Sequence, residues 1–262
     1  MEKAESALRM ENLTTGFRSG GKEYMVSRCL NAQLFAGRVT ALVGTNGTGK
    51  STLLRTLSGL CQPLGGNVYW QGQLLDHIPL QERSRCLAVV LTQRVSGEGL
   101  TVRDVVEMGR MPYTGFDGRL SSLDKEEVEK AFMLTGTQDL QYRAMNALSD
   151  GERQRVLIAK ALAQGTSIIL LDEPTAFLDF PSKVSVLQLL CKLSEKQNKT
   201  ILLSTHDLEL TFQLVEHLWL LSQDGLTEGT PLELANHGYL DRFFSTQGIT
   251  FDRHHLRFMI QK

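Results

Sequence analysis

The octapeptide Gly44-Thr45-Asn46-Gly47-Thr48-Gly49-Lys50-Ser51 constrains this chain more than any other stretch. It follows an apolar run, Val39-Thr40-Ala41-Leu42-Val43, and opens a helical pattern that predicts Leu53, Leu54, Leu57 and Leu60 on one face. Strand, glycine loop and helix in that order are the context of a phosphate-binding loop. Glycines let the backbone wrap close to phosphate oxygens, where side chains would collide. The freed N–H groups form an anion nest, and the helix N-terminus adds the positive end of its dipole. On this reading Gly44 to Ser51 and the following Thr52 bind a nucleotide. Lys50 reaches the β- and γ-phosphates, and the Ser51 hydroxyl ligates Mg²⁺.

Around this loop the apolar runs alternate with helical patterns. Residues 8–43 predict short strands, with turns marked by Gly16 and by Ser19-Gly20-Gly21. Asn67 to Trp70 predicts a strand that turns at Gly72, and Cys86 to Leu91 a fully buried strand ending at Thr92-Gln93. Residues 95–147 change character. Val102, Val105, Val106 and Gly109 share a helical face, a turn-rich segment follows, and a second helix starts at Asp124. No strand is predicted there, so the stretch reads as a helical lobe inserted in an α/β domain. Ser149 reads as the N-cap of a long buried helix through Ala163.

Ile168-Ile169-Leu170-Leu171 is a buried parallel strand that delivers Asp172 and Glu173 to its C-terminal end, where open α/β sheets bind ligands. Two carboxylates at an exit from the core are costly without a cation. A helix from Pro181, a strand Thr200 to Ser204 ending at Thr205-His206-Asp207, a helix over about 208–215 and a hairpin formed by Leu218 to Leu221 and Gly225 to Gly229 follow. Residues 230–246 read as helical, and the adjacent His254 and His255 share neither a helix face nor a strand face, which argues against a metal site. The alternation predicts a mainly parallel sheet with helices on both faces and an antiparallel piece from the N-terminus.

Parallel strands end at one edge, so the pieces converge. Ser51 and Asp172 supply the hydroxyl and carboxylate of an Mg²⁺ site, Glu173 orients and polarises a water, His206 senses the γ-phosphate, and Gln93 joins metal or water. Phe17 and Tyr24 are both candidate platforms for a flat base. Net charge is −1, so no global basic field points to nucleic acid. No apolar run approaches the roughly 18–20 residues of a membrane span, and the charged start Met1 to Glu5 does not read as a secretory signal. Cys29, Cys61, Cys86 and Cys191 are scattered and read as small buried hydrophobes in a reducing, cytoplasmic setting.

These motifs, together with Leu148-Ser149-Asp150-Gly151-Glu152 between the glycine loop and the paired carboxylates, make residues 8–235 resemble the ATPase subunit of ABC transporters. The resemblance implies a P-loop NTPase core, with about 1–94 and 166–230 forming β-subdomain and core, 95–165 the helical subdomain and 231–262 a C-terminal extension. It favours Phe17, which follows Asn12-Leu13, as the adenine platform. It also implies a homodimer packed head to tail, each ATP lying between the phosphate loop of one copy and Ser149 and Gly151 of the other. Asp179 would then lie near the dimer interface. Thr45, Thr48, Asp150 and Glu152 depart from the family's usual residues, with Asp150 expected to point away from the anion.

Gly109 to Phe116, with Gly118-Arg119-Leu120 and Asp124, resembles the branch that serves iron-siderophore, haem and vitamin B12 importers, and Leu148 to Arg155 fits that branch too. That likeness implies a peripheral subunit on the cytoplasmic side of a bacterial inner membrane. Its partner would be a permease dimer, received in a cleft near Gln93 to Val102, with a substrate-binding protein engaged only through the permease. A soluble ATPase of the same type, not linked to transport, is the alternative.

Overall fold

The computed structural model describes residues 6–92, 99–115, 117–244, 249–252 and 257–260. Two long strands, β1 (Ser6–Ser19) and β2 (Lys22–Phe35), lead into β3 (Val39–Val43), α1 (Lys50–Leu57), β4 (Gly65–Trp70), β5 (Gln73–Leu74), α2 (Leu80–Cys86) and β6 (Leu87–Val90). Three helices follow without an intervening strand among the described residues: α3 (Val102–Glu107), α4 (Ser122–Thr135) and α5 (Asp150–Ala163). Next come β7 (Ile168–Leu171), α6 (Phe180–Gln197), β8 (Thr200–Thr205), α7 (Leu208–Leu214), β9 (His217–Ser222) and β10 (Gly225–Gly229). The chain ends with α8 (Pro231–Asn236), α9 (Tyr239–Phe244), β11 (Ile249–Asp252) and β12 (Arg257–Ile260).

The main sheet has six strands in the order β10-β9-β3-β8-β7-β6. Every neighbouring pair is parallel except β10 with β9. Strands covered on both faces are apolar at every position rather than alternately; Ile168 to Leu171 and Val39 to Val43 are buried throughout. Their side chains divide between two cores. Val39, Ala41, Val43, Ile169, Leu171, Ile201 and Leu203 face one core with Val105, Phe132, Ile158 and Leu190 of the helices. Leu42, Ile168, Leu170 and Leu202 face the other, with Leu53, Leu54 and Leu57 of α1.

That second face is not covered by helices alone. A four-stranded antiparallel sheet, β2-β1-β4-β5, packs Leu8, Met10, Leu34, Val68 and Trp70 into the same core. The α1 helix therefore lies between two sheets, and Trp70 Nε1 donates to Leu57 O at 3.0 Å at its C-terminal end. This fixes the helix that carries Lys50 and Ser51.

Several local expectations are corrected. The N-terminal strands are 14 residues each, not short. Gly16 lies inside β1 opposite Met25; a Cβ there would stand 2.2 Å from Tyr24 O, so the glycine serves close strand approach and the turn is at Gly20-Gly21. Leu60 falls beyond α1 and is exposed, and Leu80 to Cys86 form a helix. Helix α4 starts at Ser122; Asp124 is its third residue, closing a capping box with Ser121. Residues 231–244 form two helices separated at Gly238. No cysteine is buried: Cys29 sits at an irregularity of β2 with φ 55° and faces solvent, and the other three are half-buried free thiols. His254 and His255 lie outside the described residues.

Candidate active site

The glycine loop joins β3 to α1. Gly49 is the N-cap of α1 with φ 95°, a left-handed value that suits glycine, and a Cβ there would lie 2.3 Å from Val26 Cγ1 of β2. Lys50 is buried, and its Nζ donates to Gly44 O at 2.9 Å and Thr45 O at 3.3 Å. Burial lowers the pKa of its ammonium, while Glu173 and Asp172 pull the other way. The Thr48 hydroxyl donates to Thr45 O at 2.8 Å and stiffens the loop. An open groove of about 480 Å³ runs beside it, lined by Gly44, Thr45, Asn46, Thr205, His206 and Phe243.

Strand register brings the other candidates to this edge. Val43 pairs with Thr205, and Leu203 with Leu171, so the loop, Asp172 and His206 follow strand ends that lie side by side. Ser51 Oγ donates to Asp172 Oδ1 at 3.1 Å. A hydroxyl and a carboxylate from two elements make an oxygen donor pair, which suits a hard cation such as Mg²⁺. Asp172 is nearly buried; its N–H donates to Val90 O and its carbonyl accepts from the Thr92 hydroxyl at 3.0 Å.

Glu173 has φ 50°. Its N–H donates to Ser204 Oγ at 2.8 Å, and its Oε1 lies 2.7 Å from His206 Nε2. The same Ser204 hydroxyl donates to Asp172 Oδ1 at 2.8 Å. Behind the pair, Asp207 accepts from Thr175 Oγ1 at 3.0 Å and Lys183 Nζ at 2.9 Å, tying the segment after Glu173 to the segment after His206.

Phe17 and Tyr24 lie against each other. They are paired across β1 and β2, their rings stack with centroids 5.1 Å apart at 13°, and both are about half exposed. The same hairpin reaches the loop through Ser27, whose hydroxyl meets Thr48 O at 3.5 Å.

Ser149 is the exposed N-cap of α5, accepting from Glu152 N at 3.3 Å. Glu152 Oε2 in turn accepts from Ser149 N and Ser149 Oγ, each at 2.8 Å, which holds the Glu152 carboxyl below its ordinary range. Asp150 turns back to Arg153 at 3.1 Å. Gly151 faces Ser182 of α6, and a Cβ would come within 3.0 Å of its hydroxyl. The hydrogen bonds of Ser149 are local to its helix start and do not reach the chain's own glycine loop. Asp179 caps α6 by accepting from Ser182 N at 3.0 Å. Thr52 follows Ser51 in the first turn of α1. Gln93 lies outside the described residues, and with it most of the cleft expected near Gln93 to Val102.

Three polar residues were not singled out by the motifs: Thr92, Thr175 and Ser204. Thr92 and Ser204 directly follow apolar runs, which is the one signal the sequence offered for them; Thr175 follows Asp172-Glu173-Pro174 and carried no such signal.

The ABC transporter family model matches residues 28–176. The chain is 39% identical over 241 residues to the probable siderophore transport system ATP-binding protein YusV of Bacillus subtilis (strain 168), spanning 92% of this chain and 86% of that one. It is 35% identical to the ferric enterobactin transport ATP-binding protein FepC of Escherichia coli (strain K12), over 96% of this chain and 92% of that one. Among solved structures, the dimeric post-hydrolysis state of the ATP-binding cassette MJ0796, bound to ADP and Pi, matches with a TM-score of 0.73 at 26% identity, covering 85% of this chain and 98% of that one.

Proposed function

This chain belongs to the ABC transporter family as an ATP-hydrolysing importer subunit, and from that premise we propose that two copies pack head to tail around shared ATP. The reading rests above all on one observation: Ser51, Asp172, Glu173 and His206, from three different elements, are linked by hydrogen bonds at one sheet edge.

The loop from Gly44 to Ser51, with Thr52, cradles the triphosphate, and Lys50 exchanges its loop carbonyls for phosphate oxygens. The stacked Phe17 and Tyr24 offer their face to the adenine. Ser51 and Asp172, with Gln93, would hold Mg²⁺, which when bound would neutralise charge on the triphosphate. Glu173 orients the attacking water and draws its proton. The water oxygen bonds to the γ-phosphorus as the bond to the β–γ bridging oxygen breaks, releasing ADP and phosphate. His206 holds the Glu173 carboxylate and contacts the γ-phosphate.

Ser149 and Gly151 complete the site of the opposite copy, where the α5 dipole faces the γ-phosphate. ATP thereby becomes part of the interface, and hydrolysis removes it. The lobe of about 95–165 moves with α5 against the core of about 1–94 and 166–230, while 231–262 form an extension. A permease dimer in a bacterial inner membrane follows that motion from a cleft near Gln93 to Val102. The chain sits on its cytoplasmic side and meets a substrate-binding protein only through the permease. No helix of the described residues is long and apolar enough to cross a membrane. The relatives' names favour an iron-siderophore cargo, with haem and cobalamin as the competing cargoes to be tested.

The test is Glu173→Gln. It should lower ATP turnover by about 10²–10⁴-fold while leaving ATP binding intact. Near-normal phosphate release by that variant would refute the role given to Glu173. Uptake assays with the cognate permease, offering iron chelates, haem and cobalamin in turn, decide the cargo.

A further inference from the structure

We propose that Ser204 is a positioning residue for hydrolysis, its single hydroxyl holding Glu173 and Asp172 in register with each other. The inference rests on the roles proposed above for those two residues. Ser204 is the penultimate residue of β8 and is fully buried. The last paired rung between β7 and β8 joins Leu171 to Leu203. Ser204 therefore stands just past the ladder, beside the point where β7 gives way to Asp172 and Glu173.

The hydroxyl uses both of its capacities there. Its O–H donates to Asp172 Oδ1 at 2.8 Å, and its oxygen accepts from Glu173 N at 2.8 Å. A serine that merely fills a core satisfies itself on a neighbouring backbone carbonyl. This one spends its donor and its acceptor on two consecutive side-chain carriers of the proposed chemistry. Ser51 donates to the same Oδ1 at 3.1 Å, so the Asp172 carboxylate is oriented from α1 and from β8 at once.

Glu173 shows why an anchor is needed. Its φ of 50° is a left-handed conformation that a residue with a Cβ adopts only when its surroundings impose it. Two backbone contacts impose it here: the N–H on Ser204 and the carbonyl accepting from Ala176 N at 3.0 Å. From that backbone the carboxylate reaches His206 at 2.7 Å. Without the Ser204 oxygen the N–H loses its partner, the strained turn relaxes, and the carboxylate swings away from the water it is to orient. The effect falls on the chemical step rather than on nucleotide capture.

Three variants isolate the hydroxyl. Ser204→Ala removes it, while Ser204→Thr and Ser204→Val have nearly the same volume as each other and differ in keeping or lacking it. The first readout is amide hydrogen exchange at Glu173 in nucleotide-free protein; the Ala and Val variants should exchange about tenfold faster than the parent, and Thr at nearly the parent rate. The second is steady-state kinetics with Mg-ATP. The Ala and Val variants should lose about 10- to 100-fold in kcat with KM within about threefold, and Thr should recover most of the loss. A kcat for Ser204→Ala within about twofold of the parent, equal impairment of the Thr and Val variants, or unchanged exchange at Glu173 would each overturn the proposal. Glu173→Gln is run alongside. An inactive Glu173→Gln beside a fully active Ser204→Ala removes Ser204's role alone, whereas an active Glu173→Gln removes the role of Glu173 and the kinetic half of this proposal with it.

Discussion

At the scale of single residues, the site depends on backbone conformations that side chains resist. Gly49 is the sharpest case, with φ 95° and Val26 Cγ1 2.3 Å from where a Cβ would stand. Placing an L-residue in the left-handed region costs about 1–2 kcal/mol before any clash. Gly49→Ala should therefore weaken ATP binding by about tenfold or more, read by titration with a fluorescent nucleotide, while far-UV circular dichroism stays that of the parent. Lys50, Ser51 and Gly49 were legible because their spacing is local and the chemistry of the loop is written in eight consecutive letters. Glu173 was legible as a carboxylate, but its φ of 50° was not; its backbone is bonded on one side to Ala176 N and on the other to Ser204, which is distant in sequence and adjacent only across β7 and β8.

At the scale of elements, α5 carries two opposing demands. Its start must be capped, and Ser149 and Glu152 do so reciprocally. The same carboxylate holds the Ser149 hydroxyl that is proposed to donate to a phosphate, and adds negative charge beside it. Glu152→Gln keeps the capping geometry and removes that charge. In a Glu173→Gln background it should raise the ATP-dependent dimer fraction by about two- to fivefold, measured by sedimentation. The cap also sets a pH sign. Ser149 holds the folded-state pKa of Glu152 below the ordinary 4.5, so its contribution is present above that value and is lost as pH falls through the lower folded one.

The inserted helices depend on a second polar contact. Arg110 and Asp124 form a nearly buried ion pair at 2.8 Å; Arg110 also donates to Ala163 O at 2.8 Å and lies over the Tyr113 ring. Removing one partner strands a buried charge, so Arg110→Ala should lower the unfolding free energy in urea by about 3–5 kcal/mol. An unchanged urea midpoint would show that water reaches the pair. The helical character of this stretch was legible from Val102, Val105 and Val106. The pairing of Arg110 with Asp124 was not, because the turn between them hides which side each faces.

At the scale of the whole molecule, two sheets enclose α1, and one edge of the main sheet gathers the candidate site. Ser149 stands at the start of α5 with only local partners, and the proposed head-to-tail arrangement assigns it to the phosphates of a second copy. If the shared phosphates bridge the interface as proposed, Glu173→Gln protein should elute as a monomer without nucleotide and as a dimer with ATP, because hydrolysis no longer removes them. Adding Ser149→Arg to that variant should keep it monomeric with ATP present, since a bulky cation fills the position of the cap. A dimer that forms equally without ATP would contradict nucleotide-bridged association.

The sequence by itself determined whatever depends on neighbours along the chain. Those features are the phosphate loop, the apolar strands that end in Asp172-Glu173 and Thr205-His206, the helical insertion, and the Ser149 cap. Each is a run of residues whose periodicity, turn chemistry or capping acts within a few positions. Tertiary structure alone decided whatever depends on register between strands and packing between layers. That covers the stacking of Phe17 on Tyr24, the antiparallel sheet that shares cover of α1, and the Ser204 hydroxyl between Asp172 and Glu173. The physical reason is that hydrogen bonds and ring contacts act over about 3–5 Å of space, and only the folded sheet brings residues so far apart in sequence within that reach.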